Sequence, residues 1–327
     1  MVGYQPLLRL TGGRSDVTRV AAIDCGTNSI RFLIADVDQA TDELSDVVRT
    51  MRVVRLGEGI DSTGEFSQGA LTRTFAACDE YADLLSEHGN PPLRFVATSA
   101  TRDAANRAEF VAGVRARLGV EPDVIPGAEE AELSFLGAVR GLPQSLLTDP
   151  ILVVDIGGGS TEIVLGDGVP SHSISVNIGC VRMTERHLHS DPPSTHEINL
   201  VEADLADALT TVVSRVPVGE ARTLVGVAGS VTTVAAMALD LKEYDPARLH
   251  GAVVTRDEVE RITGQLLAMT RAERAKLPFM HEGRVDVIAG GAMVLRALMR
   301  AFAQQEVIAS ETDILDGIVY RLASRSF

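Results

Sequence analysis

Two runs of the chain are apolar without a break and end in the same way. Residues 20–23 lead into Asp24, Cys25, Gly26, Thr27, Asn28 and Ser29; residues 151–154 lead into Asp155, Ile156, Gly157, Gly158, Gly159 and Ser160. An unbroken apolar run of this kind reads as a buried strand. A second strand-like run follows each turn, at 30–35 and at 161–165. Laid over one another, the segments match Asp24 with Asp155, Gly26 with Gly157, and Phe32, Leu33 and Ile34 with Ile163, Val164 and Leu165. The chain thus holds an internal duplication of strand, Asp-x-Gly turn and strand, one copy per half, and such a repeat sets the architecture.

Between and after the copies, strands and helices alternate. Residues 93–97 read as a strand, 98–102 as a polar loop and 103–118 as a helix. A short strand is predicted at 122–125, broken by Pro126-Gly127, and 128–139 have helical spacing. Past Pro170 the pattern predicts a strand near 173–176, helices at 200–213, 257–269 and 287–302, and an amphipathic helix at 313–323. A third strand, 223–227, runs into Gly229-Ser230 and an apolar helix at 231–239. This rhythm predicts α/β layers. Two domains are expected, domain I at 17–136 with 310–327 folded back onto it and domain II at 137–309, with a cleft between them. Residues 1–16 read as a flexible lead-in, because their only apolar stretch, Leu7-Leu8, is interrupted by Arg9 and makes no secretory signal.

Composition narrows the partners. The 327 residues are 45% hydrophobic and 23% charged, which excludes a disordered chain. Aromatic residues are 4% with no Trp, which argues against a stacking platform for bases or sugars. Lys and Arg number 30 against 45 Asp and Glu, a net charge of −15. A surface this acidic repels nucleic acid and anionic lipid, so neither is an expected partner. No apolar run reaches the length of about 18 residues that spans a membrane. Cys25, Cys78 and Cys180 form no C-x-x-C pair, so neither a disulfide framework nor a zinc site is signalled. A reducing cytoplasm is the expected setting.

The two turns suit phosphate. Glycines let backbone N–H groups converge on an anion without interference from Cβ. Ser160 and Thr161 add hydroxyl donors, as Thr27 and Ser29 do beside Asn28 in the first copy. Asp24 and Asp155, at the strand ends, are placed to hold a divalent cation. A plain hairpin would use Gly and Asp in the same way; the recurrence of Asp after each apolar strand favours the phosphate reading. Gly229-Ser230, at a helix start, offers free N–H groups to an anion, or is a simple N-cap. Arg102 shares a loop with Thr98 and Ser99, where a guanidinium forks onto phosphate oxygens; from the residues alone a solvated loop arginine is favoured. Arg31 and Glu162 hold equivalent places in the two hairpins, so one half aims a cation at the cleft and the other a carboxylate. Glu129, Glu130 and Glu132 crowd one helix start, and their pattern does not decide between catalysis and stabilisation of the helix dipole. His187 and His189, two apart, do not share a helix face and read as surface residues without a metal role.

At this point five segments, in order, resemble the exopolyphosphatase/guanosine pentaphosphate phosphohydrolase family. They are Ile23 to Ser29, Val154 to Glu162, Ala97 to Arg102, Ile125 to Leu133 and Asn177 to Glu185, and the resemblance runs from about residue 20 to the C-terminus. It implies a duplicated actin-like ATPase (ribonuclease H-like) fold, shared with sugar and acetate kinases. It implies that Glu130, the second of the Glu pair, is the catalytic base. Asp155 and Glu162 match magnesium-associated acids, and Arg102 a phosphate-contacting arginine. Gly157, Gly158, Gly159 and Ser160, with Thr27 and Asn28, match the phosphate-cleft lining. The implied cofactor is Mg²⁺ or Mn²⁺, and a homodimer is suggested. The implied activity is release of orthophosphate from the terminal phosphoanhydride of inorganic polyphosphate. Shorter chains are the expected substrates, because longer relatives carry a channel-extending region beyond the position of Phe327. The alternative is hydrolysis of guanosine pentaphosphate in the same site, which the low aromatic content disfavours. A kinase or a phosphate-sensing module of the same fold is further away, since the Glu130 segment, the Arg102 loop and the intact acids argue against both.

Overall fold

The computed structural model describes residues 17–324, so the expected lead-in at 1–16 lies outside the described residues. The described strands form two mixed sheets. The first holds β1 (Val17–Cys25), β2 (Ser29–Asp38), β3 (Leu44–Val53), β4 (Leu93–Ala97) and β5 (Asp123–Val124), in the order β3-β2-β1-β4-β5. The second holds β6 (Ile151–Ile156), β7 (Thr161–Asp167), β8 (Val169–Val176), β9 (Thr223–Val227), β10 (Val253–Thr255) and β11 (Glu306–Ala309), in the order β10-β11-β9-β6-β7-β8. β1 and β6 play the same part. Each has an antiparallel hairpin partner on one side, β2 or β7, and a parallel strand on the other, β4 or β9. The hairpin registers agree: Asp24 pairs with Arg31, and Asp155 with Glu162. The repeat read in the sequence is a structural repeat, and the molecule has the duplicated actin-like α/β fold.

Both faces of each sheet are covered, which is why β1 and β6 are apolar runs rather than alternating ones. On one face of the first sheet, Ile23, Phe32 and Phe95 pack against Leu71 and Tyr81 of α2 (Gln68–Glu87) and Phe110 of α4 (Arg107–Leu118). On the other, Val20, Leu33 and Val96 meet Leu315, Ile318 and Val319 of α13 (Ile314–Ala323). The second sheet packs Val153 and Val164 against Ala131 and Phe135 of α5 (Gly127–Gly141). Its opposite face is covered by α7 (Thr195–Arg215), α8 (Ala228–Ala238), α10 (Arg256–Ala268) and α12 (Ile288–Ala301). Short helices α1 (Ile60–Thr63), α3 (Ser99–Asp103), α6 (Cys180–His187), α9 (Pro246–Leu249) and α11 (Arg271–Arg274) lie in the connections.

The structure corrects several expected elements. The expected polar loop at 98–102 is the single turn α3, closed by bonds from the Thr101 and Arg102 amides to the Thr98 carbonyl. A one-turn helix of small polar residues carries no periodicity to read. The helix expected from 103 starts only at Arg107, because Asn106 is engaged with the backbone of Phe66. α8 starts at Ala228, so Gly229 and Ser230 lie in its first turn rather than before it. β3 and α2 were not anticipated; buried Thr74, Cys78 and Tyr81 blur the apolar stripe of α2.

A backbone contact between two helices helps join the two layers. α5 and α13 cross between the sheets, with Gly137 and Gly317 at the crossing. A methyl group on Gly137 would overlap the Asp313 carbonyl, and one on Gly317 would overlap that of Leu133. The helices therefore touch backbone to backbone. Gly317→Ala should lower the urea midpoint. The helix propensity gained is at most about 1 kcal/mol, whereas overpacking against rigid backbone costs about 1–3 kcal/mol or more. An unchanged or raised midpoint would show that the helices part freely.

Candidate active site

The cleft opens at the C-terminal ends of the parallel strands β1, β4, β6 and β9, where open α/β sheets bind ligands. Sixteen of the residues expected from sequence line it: Asp24, Gly26, Thr27, Asn28, Ser29, Arg31, Thr98, Ser99, Glu130, Asp155, Gly157, Gly158, Gly159, Ser160, Gly229 and Ser230. The two glycine turns meet across it. A Cβ on Gly158 would lie 2.8 Å from Thr27 Cβ, so only glycine lets the loops approach this closely. The Thr27 hydroxyl is buried without a hydrogen-bond partner, which leaves a donor for a ligand oxygen.

The other three expected residues stand behind the lining. Thr161 donates its hydroxyl to the Ile178 carbonyl at 2.8 Å. Glu162 is buried, and its Oε1 accepts from Ser160 and Ser175 at 2.8 and 2.7 Å. Arg102 Nη1 donates to Glu130 Oε2 at 2.6 Å and to the Ile125 carbonyl at 3.0 Å. Arg31 lines the cleft but is tied on both sides. Its Nε and Nη2 reach Asp24 Oδ2 at 3.0 and 2.6 Å, and its Nη1 pairs with Asp313.

Helix phase decides among the three glutamates. Glu130, Ser134, Gly137 and Gly141 fall on one stripe of α5, at the spacing of one face. Glu130 lines the cleft, Ser134 Oγ donates to Asp155 Oδ2 at 2.6 Å, and the glycines meet the α13 end. Glu129 and Glu132 point elsewhere and pair with Arg94 and Arg321 at 2.8 and 3.2 Å.

Carboxylates crowd this space. Burial, reinforced by Asp155 and Asp24 and only partly offset by Arg102, pushes the Glu130 carboxyl up to about 7. Burial and the charge of Asp313 push Asp155 up to about 6 against the Ser134 bond and Arg31. Burial raises Asp24 as well, with Arg31 opposing. It also raises Glu162, helped by Glu130 and Asp155. The site thus carries an excess of negative charge in a dry setting, and a cation would relieve it.

Among the described residues no group of three or more His, Cys, Asp or Glu is arranged to hold a metal ion by itself. Mg²⁺ does not require such a cage; it is commonly held by one or two carboxylates, with water and phosphate oxygens completing the shell. Asp155, with Asp24 across the cleft floor, fits that mode.

Sequence reasoning missed four residues that shape the site. Arg284 lines the cleft, rests on Gly229 and lies 5.7 Å from the Tyr244 ring centroid; it makes no ion pair among the described residues. Asp313 and Ser134 bind the hairpin residues Arg31 and Asp155 from distant segments. Ala228 lines the cleft with φ at 70°, a conformation costly for a residue with a Cβ. None of the four belongs to a motif. Only the α5 stripe that carries Ser134 was open to reading, from its spacing to Glu130.

Comparison with known proteins agrees with this geometry. The profile of the Ppx/GppA phosphatase family matches residues 33–326. The chain is 48% identical over 318 residues to Exopolyphosphatase 2 of Mycobacterium tuberculosis, covering 94% of this chain and 99% of that protein. It is 28% identical over 306 residues to the guanosine-5′-triphosphate,3′-diphosphate pyrophosphatase of Photobacterium profundum, covering 93% of this chain and 59% of that one. The crystal structure of an exopolyphosphatase-like protein superposes with a TM-score of 0.91 at 43% identity, covering 95% of this chain and all of the other.

The raised Glu130 carboxyl makes a stability prediction. Its folded value of about 7 exceeds the ordinary 4.5, so folding favours the protonated form. That contribution is complete below about pH 4.5 and is lost as pH rises through about 7. Glu130→Gln should therefore melt above wild type at pH 8, by a margin on the order of 1 kcal/mol or more, and the margin should close towards pH 4.5. Equal melting temperatures at pH 8 would refute the burial penalty.

Proposed function

The chain belongs to the Ppx/GppA phosphatase family, and from that premise we propose that it hydrolyses the terminal phosphoanhydride of inorganic polyphosphate, releasing orthophosphate. Glu130 carries the reading. It is 8% exposed, faces the cleft between two glycine turns, and is held near neutrality, where a general base works best.

In this reading the terminal phosphoryl lies between the turns at 26–29 and 157–160. Backbone N–H groups of the second turn, with the hydroxyls of Thr27, Ser99 and Ser230, donate to its oxygens. Arg31 and the unpaired Arg284 oppose the charge of the chain. Such donors stabilise the charge spread over a transferring phosphoryl group. Asp155 and Asp24 would hold Mg²⁺ or Mn²⁺, which when bound supplies charge neutralisation at the phosphate oxygens. Glu130 takes the proton of the attacking water with one carboxylate oxygen, while Arg102 fixes the other. Glu162 sits behind as a buried acid, raised by burial and by the nearby charges of Glu130 and Asp155. Arg102 thus orients the base rather than the phosphate.

We further propose a cytoplasmic homodimer. Cys25, Cys78 and Cys180 are free buried thiols, which suits a reducing compartment; the dimer rests on family resemblance. Among the described residues no helix is long and apolar enough to cross a membrane.

The test is orthophosphate release with Mg²⁺ from short polyphosphate, long polyphosphate, guanosine pentaphosphate and ATP, and again after chelation. Polyphosphate should be cleaved, chelation should abolish cleavage, and Glu130→Gln should lower kcat by about 10²–10⁴-fold. kcat/KM should rise with pH through about 7 as the base loses its proton. Cleavage of the guanosine nucleotide alone would replace the substrate assignment, and no release from any substrate would overturn the hydrolase reading.

A further inference from the structure

We propose that Arg182 is a positioning residue that locks the second phosphate turn in its working conformation and does so only while the two halves of the molecule are together. The inference rests on the reading that the turn at 157–160 holds substrate phosphate.

The argument begins with the first turn of α6. The first N–H groups of a helix lack intrahelical partners. Here they find them in the glycine turn. The Cys180 amide donates to the Gly157 carbonyl at 2.9 Å. The amides of Val181 and Arg182 donate to the Gly158 carbonyl at 2.9 and 3.1 Å, and that of Gly179 to the Gly159 carbonyl at 3.3 Å. In a planar trans peptide the C=O and N–H point in opposite directions. Drawing three successive carbonyls towards α6 therefore turns the following amides, those of Gly158, Gly159 and Ser160, to the opposite side, where the cleft lies. The packing is tight enough that a Cβ on Gly179 would overlap the Gly158 carbonyl.

The Arg182 side chain completes this arrangement. It is buried, and its Nε donates to the Gly159 carbonyl at 2.8 Å. Its Nη1 pairs with Asp61 of α1, and its Nη2 donates to Asp103 Oδ2 of α3 at 2.6 Å. Both acids belong to the half built on the first sheet. α3 also carries Ser99, which lines the cleft, and Arg102, which holds Glu130. One planar guanidinium thus joins the phosphate turn to the segment that orients the base. The same seam carries Arg186, bonded to Asp61 at 3.0 Å, and Glu185, which accepts from the Gly59 amide at 3.2 Å. If the halves separate, the outer nitrogens lose Asp61 and Asp103 and the Gly159 carbonyl is free to swing towards the cleft, where it would face a phosphate oxygen instead of helping to present an amide.

The test compares Arg182→Gln, Arg182→Lys and the Asp61→Asn/Asp103→Asn double variant with wild type. Readouts are kcat and KM on tripolyphosphate, thermal melting, and hydrogen exchange of residues 156–161 without ligand. Lysine keeps the charge for the two acids but not the planar fork. It should restore melting and still leave kcat about 10–100-fold down, with KM changed by less than about threefold. Exchange at 156–161 should quicken in both Arg182 variants, and less in the double variant, which keeps the bond to Gly159. Unchanged exchange, or a lysine variant that recovers kcat along with melting, would overturn the proposal. If wild type releases no orthophosphate the hydrolase reading falls, and the exchange measurement still decides whether Arg182 locks the turn.

Discussion

Two helices that meet backbone to backbone hold the cleft in shape. α5 and α13 lie between the sheets, and glycine on each side of their crossing lets the axes come closer than any side chain would allow. Each helix then delivers a polar group to one of the matched hairpins. α5 brings Ser134 to Asp155 and places Glu130 one turn earlier on the same face. α13 begins at Asp313, which caps its own first turn through the Leu315 amide and pairs with Arg31. Arg31 in turn holds Asp24. Separating the axes by even a methyl radius would displace both chains of contacts at once, because packed interiors transmit strain rather than absorb it.

The charge distribution around that crossing is poor for stability and suited to work. Four carboxylates, at Asp24, Glu130, Asp155 and Glu162, are buried within reach of each other's fields, and burial raises every one of them. Their opposing cations, Arg31 and Arg102, offset only part of this. Functional sites are where such strain is retained. Away from the cleft, carboxylates that pair with arginines do so nearer solvent, as Asp36 does with Arg19 and Glu260 with Arg300. Of the two arginines that line the cleft, Arg31 is held by Asp24 and Asp313, and Arg284 makes no ion pair among the described residues.

The hairpins and their glycine turns were legible because each departs from ordinary sequence in the same place: a strand with no polar residue stops at an aspartate. The duplication made the match more than chance, and the observed register of Asp24 with Arg31 and Asp155 with Glu162 follows from it. What stayed hidden is long-range. Asp313 and Arg31 are 282 positions apart, and nothing local to either announces the other. Arg284 lies in a segment of mixed charge, two residues from Asp286, which pairs with Arg55 and Arg271 while Arg284 makes no ion pair among the described residues. α2 went unseen because its buried face mixes Thr74, Cys78 and Tyr81 with aliphatic residues. Among the three glutamates of α5 the residues alone did not choose, since selecting one requires knowing which face of the helix turns inward.

The matched hairpins differ at one telling position. Where the first copy has Arg31, the second has Glu162, and both sit opposite the strand-end aspartate. Two identical copies would form a trough with a twofold axis, in which a linear phosphate chain, itself the same read from either end, would lie equally well in both senses. Exchanging a cation for a carboxylate in one copy removes that degeneracy. The cleft is asymmetric, with Arg31 on its lining and Glu162 behind it, held by Ser160 and Ser175. A substrate without polarity of its own is thereby given a leading end.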